Sequence, residues 1–137
     1  MEYKNLFKKG KIGRLEIKNR AVMTPMGTNF ADYNGMTTER LIKYYAERAR
    51  GGIGLIINEF VGVDDVDSIT MVQTLRASRH HQIASLERLT EAVHRYDCKI
   101  FAQLHHGGAL SKPALTGKQP ISSSNVRATA RSRVALE

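Results

Sequence analysis

The stretch IGLIINEFVGV, residues 53–63, lies near the middle of the 137-residue chain and is almost continuously apolar. A short apolar run that gives way to polar residues is typical of a strand that is covered on both faces. Strands of this kind belong to parallel sheets, whose faces are packed by helices. If this interpretation is right, helices should precede and follow the run.

Helical patterns do flank this strand on both sides. Residues 37–50 predict a helix with Thr37 as its N-cap, and Gly51 and Gly52 end it. Four apolar residues share one face of this helix: Leu41, Ile42, Tyr45 and Ala49. Residues 80–96 predict a second helix. Its apolar residues at helical spacing are Ile83, Leu86, Leu89, Val93 and Tyr96.

Further out, the chain predicts two more strands and a hairpin. Residues 20–26 and 98–106 are the strands, and residues 6–19 alternate weakly as a small β-hairpin. Strands that alternate with helices imply an α/β fold with parallel pairing and right-handed crossovers. The strand-to-helix links are long, and in parallel α/β folds such links surround the ligand at the carboxyl ends of the strands. The Gly-rich fingerprint of a Rossmann fold and the P-loop are both absent.

Composition narrows the class of protein. Apolar residues make up 42% and charged residues 25%, as in ordinary globular proteins, and no apolar run is long enough for a membrane span. We therefore expect a cytoplasmic protein without a membrane partner. The formal charge of +8 comes from scattered lysines and arginines, which argues against a nucleic-acid partner. The single cysteine, Cys98, is predicted to be a buried, inert thiol.

Three predicted strands end at the same edge of the sheet, in TPMG (24–27), NEF (58–60) and QLHH (103–106). Gln103 carries a donor and an acceptor on one side chain, and Gly27 lets the backbone approach a ligand closely. Such a set suits a flat heteroaromatic ring. The alternatives are a simple strand-ending turn at 24–27 and a Gln103 amide that is bonded to buried backbone. Metal binding is not predicted, because the adjacent His105 and His106 point to opposite faces of a strand.

These segments resemble a known family. LFKKGKIGRLEIKNRAVMTPMGTNF (6–30), YYAERARGGIGLIINEFVGV (44–63) and AVHRYDCKIFAQLHHGG (92–108) are similar to the start of the Old Yellow Enzyme family of NADH:flavin oxidoreductases. The resembling branch is that of 2,4-dienoyl-CoA reductases and NADH oxidases. The resemblance implies a (β/α)8 TIM barrel that holds FMN at the carboxyl ends of its strands, with about the first three βα units in this chain.

The resemblance also implies roles for individual residues. The implied cofactor-binding residues are Thr24, Pro25, Met26, Gly27, Phe60 and Gln103. Phe60 stands where the family usually has a small residue, so only its backbone contact is carried over. Asn29 stands near a position where some members have an active-site tyrosine. The family often reads H-A-G-R after the glutamine, whereas this chain has Ala109 in place of the arginine.

The implied activity is hydride transfer from NADH or NADPH through FMN to an activated C=C bond of an enone or enoyl substrate. The catalytic residues of the family fall beyond this chain, so no catalytic residue is assigned. The iron–sulfur cluster and FAD of longer members are not expected here.

We expect residues 1–126 to be the N-terminal portion of the barrel and residues 127–137 to be a non-native tail. The alternative is an inactive fragment with at most residual flavin binding, which would self-associate or form a homo-oligomer through its exposed sheet edges.

Overall fold

A computed structural model of the protein describes residues 3–126, so the predicted tail, residues 127–137, lies outside the described residues. Strands and helices alternate after an N-terminal hairpin, as the sequence predicts. In chain order the elements are β1 (Gly10–Ile12), β2 (Leu15–Ile17), β3 (Val22–Met23), α1 (Glu39–Arg50), β4 (Leu55–Gly62), a 3-10 helix (His80–Gln82), α2 (Ile83–His94), β5 (Lys99–His105), a 3-10 helix (Gly108–Leu110) and α3 (Pro113–Thr116).

The three later strands form one parallel sheet in the order β3-β4-β5, and β1 and β2 form a separate antiparallel hairpin. Met23 pairs with Ile56, and Ile56 pairs with Ile100. The α/β interpretation and the parallel pairing are therefore confirmed. The strand expected at 20–26 is shorter than predicted, because β3 ends at Met23 and Pro25 follows, which has no N–H for a sheet ladder.

Helices α1 and α2 cover one face of this sheet and enclose the core. The core consists of fully or nearly fully buried apolar side chains: Ala31, Leu41, Ile42, Tyr45, Ala49, Ile56, Val61, Leu75, Leu89, Val93 and Cys98. All four residues predicted to share a face of α1 are in this set, and so is the Cys98 thiol. Cys98 is fully buried, so the prediction of a buried thiol is confirmed, and this burial raises the pKa of the thiol.

The start of α1 differs from the prediction by one residue. Thr38 is the N-cap, and its hydroxyl accepts the Leu41 N–H, whereas Thr37 was expected in that role. Thr37 is buried instead, and its hydroxyl donates to the Ser85 carbonyl on α2 at 2.7 Å. Thr38 therefore caps α1, because the hydroxyl of Thr37 is already bonded to α2.

Helix α2 buries a shorter face than its apolar pattern suggests. Leu89 and Val93 are buried, but Ile83 is 59% exposed and Tyr96 is 38% exposed. Ile83 follows the 3-10 turn as the first residue of the helix, and Tyr96 lies beyond its last residue. The buried apolar residues of α2 therefore lie in its second half, at Leu89 and Val93.

The opposite face of the sheet and the outer edge of β5 are open within residues 3–126. Val22 is 42%, Phe101 38% and Leu104 68% exposed. Ile56, in contrast, lies on the helix-covered face and is fully buried. Self-association through these surfaces stays a prediction. No helix in the described part of the chain has the length and apolar character needed to cross a membrane.

Candidate functional site

The three polar strand ends identified in the sequence do meet at one rim of the parallel sheet. Phe60 of β4 pairs with Gln103 of β5, so these two residues are direct neighbours. Segment 24–27 leaves β3 and continues past the same end of β4. Its Gly27 lies against the Phe60 ring, since a Cβ built on Gly27 would be 3.1 Å from Phe60 Cε1. We call residues 24–27, Phe60 and Gln103 the rim set.

An irregularity in β4 brings Phe60 beside Gln103. The pairing shifts between Ile57 and Phe60, so that two residues of β4, Asn58 and Glu59, oppose one residue of β5. Such a β-bulge changes the direction in which the following side chains point. The buried Asn58 carboxamide lies in the bulge, and the orientation that satisfies its hydrogen bonds turns its nitrogen to the Glu59 carbonyl at 2.9 Å and the Phe101 carbonyl at 3.2 Å.

Glu59, in the same bulge, connects the core to the loop that follows β3. Its side chain is 1% exposed, and its Oε2 accepts the Thr28 N–H at 2.7 Å. Its own N–H donates to the Tyr45 hydroxyl of α1 at 2.8 Å. Burial raises the pKa of the Glu59 carboxyl, and the hydrogen bonds from Thr28 only partly oppose this effect. The other oxygen, Oε1, is buried and has no hydrogen-bond partner within residues 3–126.

The loop itself presents unused polar backbone. Within the described part of the chain, no hydrogen bond joins the backbone of Met26 or Gly27 to another residue. Met26 is 62% exposed, Thr24 and Gly27 are exposed, and Pro25 is half-buried. Gln103 is also exposed, so its carboxamide is accessible from the same rim. The arrangement therefore offers free amide donors and acceptors along an edge, next to apolar surface.

An aromatic pair borders this edge. The rings of Phe60 and His105 have centroids 4.7 Å apart and are tilted by 49°. His105 lies two residues after Gln103 and therefore on the same face of β5. Its Nε2 is 3.4 Å from Thr70 Oγ1, and desolvation, with a smaller effect of His106, lowers the pKa of the His105 imidazole. The lowered pKa favours the neutral imidazole, whose ring packs on Phe60.

The strand-to-helix loops brace one another around the rim. Asn29, at φ 59°, accepts the Gln73 N–H through its Oδ1 at 3.1 Å, which gives it a structural contact in place of the tyrosine role considered above. The Gly107 N–H donates to the Ser68 carbonyl at 3.2 Å. A Cβ on Gly107 would lie only 2.5 Å from Ser111 Oγ, so these loops pack tightly.

The histidines do not form a metal centre in the described structure. His106 Nε2 is 3.9 Å from Asp64 Oδ2, and the neighbouring His105 is turned toward Phe60 and Thr70. Residues 3–126 contain no group of three or more histidine, cysteine or acidic side chains that could hold a metal ion. Ala109, where the resembling family often has arginine, contributes no charge to this rim.

A parallel sheet with polar groups at the carboxyl ends of its strands is the arrangement on which α/β proteins, barrels and doubly wound sheets alike, build their ligand sites. The particular family follows from comparison with known proteins. The family model of the NADH:flavin oxidoreductase / NADH oxidase family matches residues 5–135. The chain belongs to this family.

Curated relatives agree with this assignment. The chain is 47% identical to an NADH oxidase of Thermoanaerobacter brockii over 125 residues, which cover 90% of this chain and 19% of that protein. It is 36% identical to a cinnamate reductase of Clostridium sporogenes over 130 residues, covering 91% of this chain and 20% of that protein. The chain thus spans about a fifth of the length of these relatives.

Solved structures of related proteins align with nearly the whole of this chain. The Old Yellow Enzyme homologue from Zymomonas mobilis aligns with a TM-score of 0.86 at 28% identity, over 97% of this chain and 40% of that chain. Morphinone reductase in complex with tetrahydroNAD aligns with a TM-score of 0.86 at 26% identity, over 97% and 41%. The fold is therefore that of a TIM barrel of this family, of which the described residues supply three parallel strands.

Sequence reasoning missed what Glu59, Tyr45 and Thr28 do together. Glu59 lies in the predicted strand end NEF (58–60) and Tyr45 on the predicted apolar face of α1, but no local pattern connects the two. The available signal was a single carboxylate inside an apolar strand, which requires a buried partner. The partner could not be predicted, because it is a backbone amide 31 residues earlier in the chain.

Proposed function

We propose that this chain forms the first part of an FMN-dependent oxidoreductase that transfers hydride from NADH or NADPH to an activated C=C bond. The observation that carries the proposal is the convergence of Thr24–Gly27 and Gln103 on one rim of a parallel sheet. A flavin ring requires both hydrogen-bond donors and acceptors at its edge and apolar contact on its faces. The free backbone of Met26 and Gly27 and the exposed Gln103 amide fit these requirements.

Each residue of the rim set has a proposed role toward FMN. Met26 and Gly27 offer backbone groups and the Met26 thioether, and Thr24 and Pro25 shape the segment. Gln103 offers an amide donor and acceptor to the pyrimidine edge. When bound, the flavin supplies the hydride chemistry, whereas the protein binds and orients it. We propose an enone or enoyl substrate and a cytoplasmic location, with the catalytic residues outside this chain.

The test is titration of the purified chain with FMN, followed by absorbance and flavin fluorescence. We expect saturable binding and a yellow protein. Gln103→Leu should weaken binding about 10-fold, the equivalent of one or two hydrogen bonds. Lys99→Met, at the amino end of the same strand, is the matched control and should leave affinity unchanged. Equal affinities of wild type and Gln103→Leu would contradict the proposed site.

The second candidate is a fragment without turnover, favoured by the open edge of β5 and the exposure of Leu104. We propose that the chain alone buries this edge by self-association. Size-exclusion chromatography should therefore show a dimer or larger species, and a compact monomer would contradict this. NADH-dependent reduction of an enone by the yellow chain would rule out the inactive fragment.

A further inference from the structure

The structure contains a buried acid that the proposed chemistry does not use. Glu59 is 1% exposed, lies in the β4 bulge and forms no ion pair within residues 3–126. Burying a carboxyl group among apolar side chains is costly, so its retention in a core strand requires a compensating role. The contacts of its two ends indicate what that role is.

The side chain of Glu59 reaches the loop after β3, and its backbone is bonded to the core. Oε2 accepts the N–H of Thr28, the residue that directly follows the rim segment 24–27. The Glu59 N–H is bonded to the hydroxyl of Tyr45, which is fully buried on α1. Thr28 Oγ1 in turn accepts the Phe30 N–H at 3.2 Å, which turns the chain away from the rim. A continuous series of hydrogen bonds therefore links α1, β4 and the end of the loop.

We propose that Glu59 is a positioning residue that fixes the cofactor-facing loop, by holding the Thr28 amide from the core side. The inference rests on the proposed function, because it assigns to segment 24–27 the binding of FMN. Met26 and Gly27 have no backbone hydrogen bonds of their own within the described residues. The Thr28 bond is thus the first backbone attachment after β3 in this loop. Without it, the free amides would not be held in one arrangement before the ligand binds.

The experiment compares two substitutions that differ in the acceptor. Glu59→Gln keeps an oxygen that can accept the Thr28 N–H, whereas Glu59→Leu keeps the volume and removes the acceptor. Leu89→Ala is the control, since Leu89 lies on α2 and is buried in the core, and its truncation destabilises the core without removing the acceptor of the Thr28 N–H. Hydrogen exchange of the Thr28 amide without flavin is measured first, and FMN affinity is measured second.

We expect Glu59→Leu to lose protection at Thr28 and to bind FMN about 5- to 30-fold more weakly, the equivalent of one buried hydrogen bond. Glu59→Gln should keep both properties within about threefold. Leu89→Ala should unfold more easily but keep the relative protection of Thr28 and the FMN affinity. If Glu59 only stabilised the core, Glu59→Leu would behave like Leu89→Ala and would keep both the relative protection of Thr28 and the FMN affinity.

Two results would overturn the inference. One is a Thr28 amide that stays as protected in Glu59→Leu as in the wild type. The other is a Glu59→Gln variant that opens the loop as fully as Glu59→Leu does. If the wild type itself fails to bind FMN, the proposed function is wrong, but the exchange measurement still decides whether Glu59 fixes the loop. If Glu59→Leu does not fold, Tyr45→Phe replaces it, because it removes the acceptor that holds the Glu59 N–H; the Thr28 amide should then exchange faster, and unchanged exchange would overturn the inference.

Discussion

Removing the Tyr45 hydroxyl tests whether helix α1 supports the bulge in β4. In Tyr45→Phe the ring stays in place, and the N–H of Glu59 loses the acceptor that lies 2.8 Å away. Both residues are at most 1% exposed, so water does not replace the lost partner. An unsatisfied buried amide costs about 1–3 kcal/mol, and we expect the free energy of unfolding to fall by that amount.

The assay is urea unfolding followed by circular dichroism, with thermal unfolding as a second measure. At about 4 °C per kcal/mol for a chain of this size, the expected loss corresponds to a decrease in Tm of about 4–12 °C. The unfolding slope in urea should not change, because the substitution does not alter the surface that is exposed on unfolding. The Thr28 amide should also exchange faster, since Glu59 loses one of its two anchors.

Tyr44→Phe is the matched control. Tyr44 is the preceding residue on α1, is half-buried and packs edge-to-face on Tyr45, but its hydroxyl forms no hydrogen bond within residues 3–126. Its removal should change stability by less than about 0.5 kcal/mol. Equal effects of Tyr44→Phe and Tyr45→Phe would refute the reasoning, because the bond to Glu59 would then contribute nothing measurable.

Three further outcomes follow from burial and packing. Gly107→Ala should lower stability by about 1–3 kcal/mol, since its Cβ would lie 2.6 Å from the Ser68 carbonyl oxygen, which is backbone, whereas Gly51→Ala, with contacts of 3.4 Å, should be neutral or better in urea unfolding. Burial raises the pKa of Glu59, so its neutral form contributes stability at low pH that is lost as the pH rises through that pKa. When the free energy of unfolding is measured against pH, Glu59→Gln should show a smaller loss than the wild type. Cys98 should react with a disulfide reagent only after denaturation, and rapid labelling of the folded chain would contradict its burial.

The sequence predicted the elements well because hydrophobic periodicity and Gly stops are local signals. The apolar run at 53–63 became β4 at Leu55–Gly62, and the face of α1 became core. It predicted the ends of elements less well. Whether Thr37 or Thr38 caps α1 depends on Ser85, which lies 48 residues after Thr37, so no local pattern could decide it.

The rim was predictable in outline for a different physical reason. Parallel strands all end at the same edge, so the order of strands alone places Thr24–Gly27 near Gln103. The β-bulge was not predictable, because it needs the pairing of β4 with β5, and without it Phe60 would not lie beside Gln103. The identity of the family came from motif resemblance and not from this geometry.

The bulge also explains why polar residues interrupt an otherwise apolar strand. A regular β4 would have no room for an extra residue, and its amides would all be paired with neighbouring strands. The extra residue frees the Glu59 N–H for Tyr45, lets the Asn58 carboxamide bond the carbonyl of Phe101, and directs the Glu59 carboxyl to the loop. An apolar residue at position 59 would be less costly to bury, but it would leave the Thr28 amide without its acceptor. The polar bulge therefore lowers the stability of the core but supplies the acceptor for the Thr28 N–H. For this reason, the shape of the proposed flavin site depends on how the core packs around Glu59.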